Sequence, residues 1–139
     1  MTHPLALMGL SDGGAHVGTI CDSSFPTYLL CYWARDRQRG PRLELADAVR
    51  RLTADIADYC GMADRGRLRE GLKANVNVID MERLRLFPPR MVRDLPAGGQ
   101  RLLQDAVGYR AVLVGGEPVV ENDRLTGRYP GRLYRAGVH

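Results

Sequence analysis

The sequence predicts an α+β fold, and three observations carry that prediction. Residues 25–33 and 45–59 place apolar side chains three and four positions apart, the spacing of one helical face. Residues 74–80 alternate polar and apolar side chains, as a half-buried strand does. Residues 109–114 and 118–121 are apolar runs joined through Gly115-Gly116, the glycine pair of a tight hairpin.

Residues 5–10 read Leu-Ala-Leu-Met-Gly-Leu and then break into Ser11-Asp12-Gly13-Gly14-Ala15-His16-Val17-Gly18. A short apolar run bounded by glycines predicts a buried strand ending in a sharply turning loop. A helix follows, with Phe25, Tyr28, Leu29, Tyr32 and Trp33 on one face. Ser24 is its predicted N-cap, Pro26 fits its first turn, and Gly40-Pro41 ends it. The aromatic stripe reads as core or interface packing rather than a cofactor box. The second helix, 45–59, has Leu45, Ala48, Val49, Leu52, Ile56 and Tyr59 as its stripe, and Gly61 supplies a left-handed C-terminal residue.

Beyond Gly61 the chain becomes turn-rich over 64–71, and 74–80 is the first strand of a β region. Residues 81–101, with Pro88-Pro89 and Pro96-Ala97-Gly98-Gly99, read as a long irregular connection, which in a compact domain suggests a docking or active-site loop. The hairpin 109–121 follows, Asn122-Asp123 turns the chain again toward Leu125, and 126–132 is a loop. The first strand has no evident partner. A lone buried strand leaves backbone donors and acceptors unpaired, so a neighbour is expected from a longer parent protein or from another chain.

Composition excludes several classes. Leu, Ile, Val and Phe make up 34 of the 139 residues, above the roughly 20% below which a chain stays disordered. No apolar run approaches the ~20 residues of a membrane span, and no lysine or arginine precedes the apolar stretch 4–10 as a secretory leader requires. A complete (β/α)8 barrel needs roughly 250 residues, which exceeds this chain. Twenty Lys+Arg against sixteen Asp+Glu give +4, and Lys73 is the only lysine. The arginines do not alternate with stacking aromatics, so no nucleic-acid partner is expected. Arg35, Arg37, Arg39 and Arg42 are the densest group; a solvated helix end is the favoured reading over a polyanion contact. Cys21, Cys31 and Cys60 form neither a disulfide framework nor a zinc ribbon, which fits a reducing cytoplasm.

Asp12 is the most suggestive residue. A carboxylate at the C-terminal end of a buried strand is where parallel barrels keep catalytic groups, and there it can bind a metal or move a proton at a metal-bound water. The plainer reading has Asp12 capping its own loop. His16 is either an ordinary loop histidine or one that faces substrate or supports a metal ligand. A zinc ion takes about four ligands; His3 is the only other nearby histidine, and the terminal His139 is expected to be disordered. The glycines lack the Gly-Lys-Ser/Thr ending of a phosphate loop and the GxGxxG pattern of a dinucleotide fold. Cys31 and Cys60 read as small hydrophobes.

Leu10-Ser11-Asp12-Gly13-Gly14-Ala15-His16 resembles the last barrel strand and loop of the amidohydrolase superfamily, in its D-aminoacylase (N-acyl-D-amino-acid deacylase) branch. Leu45-Ala46-Asp47-Ala48-Val49-Arg50-Arg51-Leu52-Thr53 is similar to the helix after that strand. Residues 64–80, running Asp64-Arg65-Gly66-Arg67-Leu68 through Gly71, Ala74 and Asn75 to Asp80, are similar to the Gly-x-Leu-x-x-Gly-x-x-Ala-Asp-Leu-x-Val segment that re-enters the family's β-sandwich. Val114-Gly115-Gly116-Glu117-Pro118-Val119 and Thr126-Gly127-Arg128-Tyr129-Pro130-Gly131-Arg132 resemble its ending. Asn75 stands where the family usually has aspartate, a change bearing on a turn contact rather than on the chemistry.

The resemblance implies an incomplete barrel: residues 1–61 as the last strand and helices of a (β/α)8 metal-dependent hydrolase, and 62–139 as a small antiparallel β-sandwich portion with its long loop at about 81–101. It implies zinc-dependent hydrolysis of the amide of an N-acyl-D-amino acid, with Asp12 as general base and then acid and with Ser11 and His16 facing substrate or supporting the site. The family's His-x-His pair, bridging ligand and two later histidines have no counterpart here, so Asp12 would meet a metal only with ligands from outside this chain. The expectation is a fragment or subunit, inactive alone, completed by an N-terminal barrel partner or by self-association, with no membrane partner. The alternative is a non-catalytic remnant serving as a binding or oligomerisation module.

Overall fold

The computed structural model describes residues 3–9, 11–14 and 16–135. It is a mixed helical and β structure whose sheets are antiparallel. Its described residues form no closed barrel, and none of its described helices is long and apolar enough to cross a membrane.

A single 3-10 turn (Asp22–Ser24) leads into α1 (Phe25–Tyr28), which widens into a π-helical stretch (Leu29–Asp36). Its last bond, Arg37 N–H to the Tyr32 carbonyl at 2.8 Å, has the five-residue spacing of a π-helix. This changes which side chains face inward. Thr27, Leu29, Leu30 and Cys31 are buried, while Tyr28 is largely exposed and stacks on Tyr32 at 5.2 Å between ring centroids. The predicted five-residue stripe is therefore only partly the buried face. The helix also ends at Asp36, before Gly40-Pro41, because Arg37 is extended. Ser24 makes no capping bond; its hydroxyl is drawn away to Gln104.

The second predicted helix is two. α2 (Leu45–Leu52) and α3 (Ala54–Tyr59) meet at Thr53, whose φ and ψ of −127° and −81° break the helical path and whose hydroxyl donates to the Val49 carbonyl. The predicted C-terminus holds. Gly61 is left-handed, its N–H bonds the Asp58 carbonyl, and the Met62 N–H bonds the Ala57 carbonyl, the paired closure of a Schellman motif.

The main sheet has the order β1 (Val76–Ile79), β6 (Tyr109–Val114), β7 (Glu117–Glu121), β8 (Arg124–Leu125), all antiparallel. Both predicted turns form. Gly115-Gly116 joins β6 to β7 and Asn122-Asp123 joins β7 to β8, each pair with positive φ at both residues, which matches the twist of a tight hairpin. Asn75 makes a turn contact: its Oδ1 accepts the Gly115 N–H at 2.9 Å. Residues 81–101, expected to be irregular, contain β2 (Arg85–Leu86) and β3 (Arg90–Val92), which pair with β5 (Ala106–Val107) and β4 (Arg101–Leu103). Partners just beyond the proline-rich stretch supply the pairing that local sequence does not reveal.

The expected strand at 5–10 does not form in the described residues 5–9. A turn closes from the Ala6 N–H to the His3 carbonyl, and Leu5 and Leu7 are 87% and 44% exposed. Among the described residues no neighbouring strand lies beside it to take up its hydrogen bonds. Leu10, Ala15 and His139 lie outside the described residues.

The core joins Leu29, Leu30 and Cys31 to Ala48 and Leu84. Leu84 is fully buried, its carbonyl accepts the Cys31 thiol at 3.4 Å, and its N–H bonds the Asp80 carbonyl. Two glycines permit the close packing around this centre. A Cβ on Gly66 would lie 2.5 Å from Ala57 Cβ, and one on Gly108 would lie 2.6 Å from Leu84 Cα; both residues also have positive φ. Asp123 fixes the Gly108 corner by accepting the N–H groups of Gly108 and Tyr109 at 2.7 and 2.6 Å.

Gly108→Ala is expected to lower stability by about 2–4 kcal/mol, through backbone strain added to overpacking. The check is the urea midpoint against Gly18→Ala, a control with nothing within 4 Å of its new methyl group.

The arginine-paired aspartates set an acid limit. Hydrogen bonds from Arg35, Arg67, Arg110 and Arg101 hold Asp36, Asp58, Asp80 and Asp94 below their ordinary pKa; Arg65 and Lys73 do the same for Asp64. A depressed folded-state pKa contributes stability above the unfolded value and loses it as pH falls through the folded one. The denaturation midpoint should therefore hold near neutrality and decline below about pH 4, the ordinary aspartate range. A midpoint independent of pH down to about pH 2 would contradict these pairings.

Candidate functional site

The candidate site is the loop from Ser11 to Ile20. Asp12 and His16 both have φ of 49°. Aspartate and histidine enter the left-handed region more readily than most residues, but two such positions so close together are a local strain that surrounding contacts must support. His16 is anchored through its backbone: its carbonyl accepts the N–H groups of Thr19 and Ile20 at 2.8 and 3.0 Å and the Thr19 hydroxyl at 3.0 Å.

Asp12 and His16 are exposed, and Ser11 is half-buried. Among the described residues nothing hydrogen-bonds the Asp12 carboxylate; in particular the Gly14 N–H does not cap it. A carboxylate so placed is available to a water or an incoming substrate. Gly13 allows the loop to lie against the start of the first helix, where a Cβ on it would collide with the Ser23 hydroxyl and come within 3.3 Å of Ser11 Oγ.

The loop is tied to a distant part of the chain. The Val17 carbonyl accepts the Leu102 N–H at 2.7 Å. Ser24 Oγ donates to Gln104 Oε1 at 2.5 Å, and Gln104 Nε2 donates to the Phe87 carbonyl at 2.9 Å. Both contacts come from residues just beyond the segment 81–101, Leu102 and Gln104; within it, the Phe87 carbonyl holds the Gln104 amide. A single glutamine between short apolar runs carries no signal of this role in the sequence.

Other candidates serve packing. Burial raises the Cys31 pKa, with nearby Arg35 lowering it by a smaller amount, so the thiol is a poor nucleophile. Cys60 is exposed at the end of α3. Arg35 pairs with Asp36 and donates to the Met81 carbonyl, Arg37 lies over the Trp33 ring at 4.0 Å, and Arg42 donates to the Arg37 carbonyl. A cavity of about 750 Å³ lies between Leu30, Leu52, Ile56 and Met62 on one side and Val76 and Ile79 on the other; Asp12 and His16 do not line it.

The donor set does not fit a metal by itself. Among the described residues no three His, Cys, Asp or Glu side chains converge as a metal site requires, and Asp12 with His16 falls short of the roughly four ligands of a zinc ion.

Comparison with known proteins matches this arrangement to a family. The amidohydrolase family model matches residues 1–120. A D-aminoacylase of Alcaligenes xylosoxydans xylosoxydans is 33% identical over 110 residues, 79% of this chain and 20% of that protein. Uncharacterized proteins of Mycobacterium tuberculosis and Mycobacterium bovis are each 40% identical over 79 residues, 55% of this chain and 13% of theirs. The matched segments thus span a fifth or less of these relatives' length. No solved structure matches. The extent of the family match and the likeness to the D-aminoacylase establish that the chain belongs to the amidohydrolase family, in the D-aminoacylase branch.

Proposed function

We propose that this chain is the C-terminal part of a metal-dependent amidohydrolase that cleaves the amide of an N-acyl-D-amino acid, and that Asp12 is its proton-transferring carboxylate. In this reading residues 1–61 belong to the hydrolase barrel and 62–139 to its β-sandwich portion. In this reading residues 5–10 become a strand when a barrel neighbour lies beside them. The observation that carries the reading is the exposed Asp12 carboxylate at the turn of a strained loop, hydrogen-bonded by none of the described residues and within the part of the chain that matches the family.

The chemistry asked of Asp12 is limited and suits what it is. A carboxylate that no described residue bonds can accept a proton from the attacking water and return it to the departing nitrogen. In this reading Ser11, next to it in the chain, and His16, four residues on, contact substrate. When bound, zinc would supply the polarisation of the carbonyl and the acidification of water, with ligands from outside this chain.

Two measurements test the proposal. The purified chain, with and without added zinc, should not hydrolyse N-acetyl-D-amino acids. A chimera in which this chain replaces the matched segment of the Alcaligenes D-aminoacylase should be active, and Asp12→Asn should cut its rate about 10²- to 10⁴-fold. Zinc-dependent turnover by the isolated chain, or a fully active Asp12→Asn chimera, would overturn the reading.

A further inference from the structure

We propose that Gln104 is a positioning residue for the Asp12 loop, acting through Ser24 and together with the backbone clasp between Leu102 and Val17. This rests on the reading of Asp12 as the proton-transferring group. A loop with two left-handed side-chain-bearing residues persists only where its surroundings over-determine it. Those surroundings come from the β3–β4 hairpin and the residues after it. Strand β4 pairs with β3 along one edge, and its Leu102 N–H holds the Val17 carbonyl at 2.7 Å, so one backbone hydrogen bond ties the loop to the hairpin.

Gln104 makes the second link, and its amide suits the task. Its oxygen accepts the Ser24 hydroxyl at 2.5 Å while its nitrogen donates to the Phe87 carbonyl at 2.9 Å. An amide accepts at one end and donates at the other, and the Phe87 carbonyl, which can only accept, fixes which end faces it. Phe87 is itself held by its N–H to the Asp105 carbonyl at 2.9 Å, so the bridge starts from a fixed point. At the other end Ser24 forgoes the capping bond that a helix start favours, and its hydroxyl goes to Gln104 instead. The neighbouring Ser23 lies close against Gly13, with its Oγ 2.4 Å from where a Cβ on that residue would stand, so the helix start also touches the residue next to Asp12.

Amide exchange on the intact 139-residue chain reads the clamp directly. Gln104→Ala and Ser24→Ala should each speed exchange at Thr19 and Ile20, which bond His16, by about five-fold, the factor an ordinary hydrogen bond supplies. Ser24→Thr, which keeps the hydroxyl, should restore protection, and Val112 and Val120 in the main sheet should not change. Wild-type rates at Thr19 and Ile20 in both alanine variants, or an equal rise at Val112 and Val120, overturn the proposal. In the chimera, Gln104→Ala and Ser24→Ala should each lower kcat about ten-fold with KM held, as small displacements of a reacting group do. Ser24→Thr should keep kcat near the unsubstituted chimera's. Unaltered kcat in both alanine variants overturns positioning even where the loop loosens. A fully active Asp12→Asn chimera overturns instead the functional reading, whatever the exchange data show.

Discussion

The burial of Leu84 is the constraint on which the rest of the structure depends. Its side chain closes the core formed by Leu29, Leu30, Cys31 and Ala48, so the helical part and the β region share one apolar centre. Its backbone is engaged at every side: the N–H with Asp80, the carbonyl with Cys31, and the Cα against Gly108. Because Gly108 precedes β6 directly, the position of Leu84 sets where the main sheet meets the helices. Asp123 then holds the same corner from the far side of the meander through two short hydrogen bonds. The strands and helices are short, so a few such contacts stand in for the extensive layer packing of larger domains.

Surface charge is organised as local forks rather than as a field. Arg50 with Asp55, Arg67 with Asp58, Arg90 with Asp105 and Arg101 with Asp94 pair across turns or between neighbouring segments. The planar guanidinium suits this use: Arg67 and Arg101 each meet both carboxylate oxygens through two nitrogens, while Arg90 directs two nitrogens to one oxygen and Arg50 holds both Asp55 oxygens with one. Lys73 pairs with Asp64, and Arg110 bridges β6 to Asp80 at the exit of β1.

What the sequence makes legible is local, and what it conceals is long-range. The two tight turns of the β6–β7–β8 meander and the Gly61 helix end are readable because each depends on backbone conformations that neighbouring residues dictate. The Asp12 loop is readable as a chemical candidate because its residue types are unusual together. Four features are not. The first strand is readable as a pattern but lacks the partner that would make it one. Periodicity cannot show the π-helical widening at Leu29–Asp36, because the apolar residues there fit an α-helical spacing just as well. Leu84 sits in a stretch with no period, yet it is the most deeply buried large side chain. Ser24 has every local mark of a cap, and only a residue eighty positions away takes its hydroxyl.

The separation of β1 from its partner β6 has a consequence for how the chain can vary. Everything between them is looped out of the sheet as two small paired ribbons, with the span between β3 and β4 at its tip. Closing a chain loop costs entropy that grows only logarithmically with length, about 0.6 kcal/mol for each doubling. Insertions or deletions at that tip therefore carry little penalty for the sheet. The same change placed between Asp80 and Leu84, or at Gly108, would displace the shared core. Added length is thus thermodynamically cheap for the sheet at the outer end of the ribbon and costly at its base.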